Sequence, residues 1–189
     1  ILVAFVSLNL FSLPNIKLSY SGETFFTIND NNLYNPDGEL AFSNINGTLY
    51  YPSGENSNQT ISETDEIIEI IDTENGILRF SKKNGNLIYR ESKYGLEKYI
   101  EYFDDESGNK LTEEKYFLDL LESVVTHVYE KGLNTKIIEK DAKGNYLSSI
   151  IAQYDKKTKK VQKAIKYSKD NKIEFIVLFD KETEMAITH

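Results

Sequence analysis

His127 is the first side chain to weigh, because imidazole moves protons near neutral pH without a shifted pKa. The 189-residue chain holds two histidines, His127 and His189, and no cysteine. A Ser-His-Asp triad or a histidine-based metal centre would have to rest on His127 alone. A lone histidine in an apolar stretch reads as a hydrogen-bonded structural residue. Asp and Glu number 30 and could supply the acid pair of a glycosidase, yet no spacing singles out a pair. Asp104-Asp105-Glu106-Ser107-Gly108-Asn109 and Asn29-Asp30-Asn31-Asn32 offer oxygens to Ca²⁺. Neither has EF-hand spacing, and Asp and Asn in turns account for both. There is no Walker A loop and no GxGxxG. The expectation is a non-enzymatic protein with no cofactor and no metal.

Binding chemistry has more to work with. Tyr129, Tyr154, Tyr167 and Phe179 each close an apolar run, and Lys156, Lys157, Lys159 and Lys160 crowd one polar turn. An aromatic body with a polar tip suits a recognition surface, and clustered lysines suit an anionic one. These eight residues are the candidate binding set. In a purely structural reading the aromatics are core and the lysines a solvated turn that discourages edge-to-edge aggregation.

What must position them is a repeated hairpin. Tyr154-Asp155, Tyr167-Ser168 and Phe179-Asp180 recur at 13 and 12 residues, and Phe103, Tyr116, Tyr129 and Asp141 carry the beat upstream. A strand of about 5–6 residues plus a tight loop has this arithmetic. Ile173, Phe175, Val177 and Phe179 alternate with Glu174, Ile176 and Leu178, which places them on one face of a strand. Asn-Gly at 75–76 and 84–85 is the strongest short hairpin signal. Thr112 to Val128 (TEEKYFLDLLESVVTHV) is the exception. It lacks Gly, Asn and Pro and repeats apolar residues at helical spacing behind a Thr112 cap. The reading is a helix near 113–123 running into a strand near 124–130. The fold expected is all-β, an antiparallel meander with one short helix.

The chain divides, on this reading, into four parts. Residues 1–15 (ILVAFVSLNLFSLPN) have the length of a signal-peptide h-region, too short for a bilayer-spanning helix. This points to an extracytoplasmic location: periplasmic, surface or secreted. Residues 16–51 form an N-terminal β region, 52–65 a loop or linker with one large apolar side chain, Ile61, and 66–189 the hairpin repeats. Charge is uneven. From Leu18 to Leu78 there are eleven acids and no Lys or Arg, whereas Asp155 to Lys172 holds eight Lys against two Asp. A net charge of −8 argues against nucleic acid as a partner. No transmembrane span is expected, and the partner is a protein or an envelope component.

YPSGE at 51–55, FSKKNGNLIY at 80–89, FDDESGNKLTEEKY at 103–116 and YEKG at 129–132 resemble bacterial MORN-like repeats, the type labelled antitoxin component, over roughly 50–189. The beats at Tyr154, Tyr167 and Phe179 depart from that pattern in lacking the glycine. The resemblance implies an elongated single-layer meander that binds proteins or a membrane surface and has no catalytic residues. The alternative function is a carrier holding a lipid or small apolar ligand on a curved sheet lidded by the helix.

Overall fold

A computed structural model describes residues 13–180, 182–183 and 185–187. Most of the expected signal segment, and His189, lie outside the described residues. Seventeen strands and no helix occur among them, and successive strands pair antiparallel within each of two compact units. Unit one comprises the chain up to Ser92 together with Asp104–Asn109; unit two comprises Lys93–Phe103 and the chain from Lys110 onward. The boundary at Ser92 differs from the expected break at 52–65.

Unit one contains β1 (Ile16–Tyr20), β2 (Glu23–Asn29), β3 (Asn32–Tyr34), β4 (Leu40–Ile45), β5 (Thr48–Tyr50), β6 (Asn56–Glu63), β7 (Ile67–Asp72), β8 (Gly76–Ser81) and most of β9 (Leu87–Tyr94). Leu18, Ile28, Leu33, Leu49, Ile61, Ile68 and Phe80 are fully enclosed and make a core. The expected linker at 52–65 is a correction: its centre is β6, paired with β5 and β7. Ile61 anchors it in the core, and the buried Ser57 hydroxyl donates to the Leu49 carbonyl at 2.7 Å. Polar side chains made this stretch look unstructured, but the neighbouring strands satisfy them. The loop Asp104–Asn109 is tied in by the Asn84 and Asn86 side-chain amides, which donate to the Asp105 carbonyl at 2.7 and 2.8 Å.

Unit two contains β10 (Glu97–Phe103), β11 (Lys110–Phe117), β12 (Leu120–Glu130), β13 (Leu133–Asp141), β14 (Tyr146–Tyr154), β15 (Val161–Tyr167), β16 (Ile173–Phe179) and the short β17 (Ala186–Ile187). The helix expected near 113–123 is a second correction. That stretch is a hairpin of β11 and β12 turning at Leu118 and Asp119, both with positive φ (51° and 60°). Helical spacing of apolar residues loses here to cross-strand partners. Lys115 reaches Glu97 and Glu122, and β12 pairs along its other side with β13. Val124, Val125, Thr126 and Val128 also favour the pleated state. The strand expected near 124–130 is present as the second half of β12.

The aromatic beat has a structural meaning. Between β10 and β16 every hairpin shifts register once beside its turn, at Phe103, Tyr116, Tyr129, Lys140, Tyr154 and Tyr167. Each shift is a β-bulge, which raises local twist and ends regular pairing. At most of these turns the next residue organises the loop. Asp104 Oδ1 accepts from Ser107, Asp141 Oδ1 from Lys143 and Asn145, and Asp155 Oδ1 from Lys157 and Thr158. The glycine missing after Tyr154 is replaced in kind. Lys159 takes φ +62° at the same place in its loop as Gly108, at +69°.

Candidate functional site

Register settles which candidates meet. His127 pairs with Ile137, Ile137 with Ile150, and Ala152 with Ala164, which pairs with Val177. Directly paired residues share a face and alternate residues return to it, so Tyr129, Tyr154 and Phe179 project from one face. All three stand at the ends of strands running the same way, beside the same edge as the Asp155–Lys160 turn. Tyr154 Oη donates to the Asn134 carbonyl at 2.8 Å. Burial raises the pKa of both Tyr129 and Tyr154, and Tyr154 adds to the shift at Tyr129.

Tyr167 is the exception among the aromatics. Its hairpins turn at the opposite edge, and it pairs with Ser149 on the other face. Ser149 there hydrogen-bonds the Tyr146 hydroxyl at 2.8 Å. The bulge at Glu174 likewise sets Ile173 across from Tyr167, so Ile173 does not share the face of Phe175 and Val177. Lys156, Lys157 and Lys159 are exposed around Asp155, while Lys160 Nζ donates to the Glu182 carbonyl at 3.2 Å. Three of the four turn lysines, Lys156, Lys157 and Lys159, are therefore solvent-exposed.

The sequence reading missed a polar group on the same face as Tyr129. Glu101 is 3% exposed and pairs with Glu113 across β10 and β11. Lys110 forms ion pairs with both carboxylates, at 3.0 Å to Glu113. Burial works against the Lys110 ammonium, but the hydrogen bonds and charges of Glu101 and Glu113 outweigh it and hold its pKa above the usual lysine value. His127 is held below its ordinary value by burial first and by Lys110 second, so it is neutral at pH 7. Asn134 Nδ2 lies 2.8 Å from its Nδ1. The histidine is thus a hydrogen-bonded member of a structural network. Only the hairpin register joins residues 101, 110, 113 and 127, and the expected helix hid that register. Among the described residues no cluster of His, Cys, Asp and Glu is arranged to hold a metal.

One exposed apolar strand of unit two lies farther along the sheet. Ile173, Phe175, Ile176 and Leu178 of β16 are 55, 48, 47 and 41% exposed, on both faces of one strand. Among the described residues no helix is long and apolar enough to cross a membrane.

Comparisons place part of this region. Residues 147–189 match the family described as "Protein of unknown function (DUF2963)", which takes in β14 through β17. No curated protein matches the chain. Among solved structures, TarM resembles it at 19% identity and a TM-score of 0.33, over 58% of this chain and 21% of that one. A mutant of S. aureus TarM, in complex with fondaparinux, alpha-GlcNAc-glycerol and UDP, gives 18% and 0.34 over the same shares. The chain thus spans about a fifth of the length of these structures, and TM-scores of this size fall short of a shared fold.

Proposed function

We propose that the chain is a non-enzymatic, exported β-repeat module of the MORN-like kind whose second unit binds a protein partner. The observation that carries this reading is β16. Large apolar side chains exposed on both faces of a strand cost hydration free energy unless another surface covers them. Tyr129, Tyr154 and Phe179, with the Lys156–Lys160 turn, border the same sheet and supply amphipathic and cationic contacts around the apolar strand. Apolar anchors ringed by polar groups are how protein interfaces are built. The carrier alternative relied on a helical lid, and residues 113–123 form strands instead.

The test is a pull-down from envelope and cytoplasmic extracts with the full chain, beside a Phe175→Asp, Ile176→Asp variant whose strand content is checked by circular dichroism. One stoichiometric partner held by the parent chain and released by the folded variant is the expected result. Equal retention by both would place recognition elsewhere and end this reading of β16.

A further inference from the structure

Unit one holds a cleft of about 230 Å³ formed by β2, β4, β6 and the β7–β8 hairpin, remote in sequence from the candidate binding residues of unit two. Its wall begins with an unusual pair. Neighbours on a strand normally face opposite sides. Phe25 and Phe26 instead lie together because Phe25 is skipped in the register: Leu18 pairs with Phe26 and Ser19 with Thr24. Their ring centroids are 4.6 Å apart at 63°, and Phe42 follows at 5.8 Å and 75° to Phe26. Phe26 thus stands steeply to both Phe25 and Phe42, while Phe25 stacks on the core ring of Phe80 at 6.4 Å and 24°.

One carboxylate, that of Asp72, completes the lining. Asp72 accepts from Gln59 Nε2 at 3.0 Å and from Asn75 at 3.1 Å. Burial opposes its charge, but these hydrogen bonds and those from the Asn75 and Glu74 backbone together keep its pKa below the usual aspartate range. Glu91 lines the cleft through its backbone, where the chains approach so closely that a Cβ on Gly76 would sit 1.9 Å from its carbonyl oxygen. Its carboxylate lies on the opposite face and accepts from Tyr89 Oη at 3.0 Å. With no Lys or Arg between Leu18 and Leu78, the field around the cleft favours positive charge.

We propose that this cleft binds a small organic cation of the quaternary ammonium type. Aromatic rings attract such a cation through their negative faces, most strongly where water is displaced. The Asp72 carboxylate at the rim adds charge attraction without requiring a hydrogen bond that the cation cannot make. The volume suits one trimethylammonium group with a short chain, and either free choline-type molecules or a phosphatidylcholine headgroup would present it.

Isothermal titration of the full chain with choline chloride tests the proposal. Its uncharged isostere, 3,3-dimethylbutan-1-ol, serves as the control. Saturable choline binding is expected, with the isostere weaker by about tenfold and with Asp72→Asn and Phe42→Leu each weakening choline several-fold. Absence of saturable choline binding, or an isostere that binds equally well, overturns it. Asp72→Asn keeps an oxygen for the Gln59 and Asn75 side-chain amides but sets its NH2 against the Glu74 and Asn75 backbone N–H groups. The choline-to-isostere ratio of the parent chain therefore decides the proposal should either variant misfold. Flotation with phosphatidylcholine vesicles then separates the sources. Choline binding with co-flotation assigns the headgroup, and choline binding without it assigns the free cation.

Discussion

Unit one and unit two are both antiparallel meanders, yet they dispose of apolar side chains in opposite ways. Unit one closes around Leu18, Ile28, Leu33, Leu49, Ile68 and Phe80, all at or below 1% exposure. In unit two, Phe103 and Ile165 are the large apolar side chains that reach burial, beside the polar Glu101 and Ser149. Unit two rests instead on cross-strand pairs, bulges and capped turns, repeated strand after strand. A core concentrates stability in a few side chains, while a ladder spreads it over many weak and local ones.

Substitutions can break that comparison. Phe80→Ala, which empties a core position, is expected to cost about 3–5 kcal/mol in urea unfolding followed by far-UV circular dichroism. Ile176→Ala on the ladder is expected to cost well under about 1 kcal/mol. Comparable losses would mean that β16 is covered in solution. The Glu101–Lys110 pair is the ladder's nearest approach to a core. Lys110→Met leaves Glu101 buried without its partner and should cost about 3 kcal/mol, whereas adding Glu101→Leu should recover most of it. No recovery in the double variant would mean that Glu113 or His127 carries the network instead.

The smaller effects sharpen the account of the turns. Lys159→Gly removes a left-handed lysine and should raise stability by about 1 kcal/mol, read as a higher urea midpoint with unchanged slope. Asp141 is held below the ordinary aspartate pKa by the Asn145 side chain and the Asn145 and Lys143 backbone. A depressed carboxylate contributes stability above the unfolded value, near pH 4, and loses it as pH falls through the folded one. Asp141→Asn should therefore lower stability slightly at neutral pH and flatten the acid end of the profile, so that the two profiles converge as pH falls. A parallel profile would show that the turn is formed without the charge.

Much of the fold was legible. Alternation at Ile173–Phe179 and the 13-residue beat mark antiparallel hairpins, because both follow from strand geometry. The hairpin at Leu118-Asp119 was not, since neither residue announces a positive φ and the helical spacing of Phe117, Leu120, Leu121 and Val124 is as good as in a true helix. Tertiary pairing decided it. In the candidate set, Tyr129, Tyr154 and Phe179 share one face because they stand at equivalent ends of alternate strands. Tyr167 stands apart, because one step to the next strand reverses both the edge and the face. The Phe25–Phe26 pair was invisible for a related reason: a bulge cancels the alternation from which faces are inferred.

The one-bulge hairpin of unit two also bears on how the chain reaches its fold. Each strand from β10 to β16 pairs with the strand made just before it, so few contacts there wait on distant sequence. Low contact order speeds folding, and a ladder of this kind can extend one strand at a time as the chain emerges. Opening should likewise begin at β17, which holds two residue pairs, and travel inward. Amide exchange in unit two would then follow a gradient along the sequence rather than one cooperative rate.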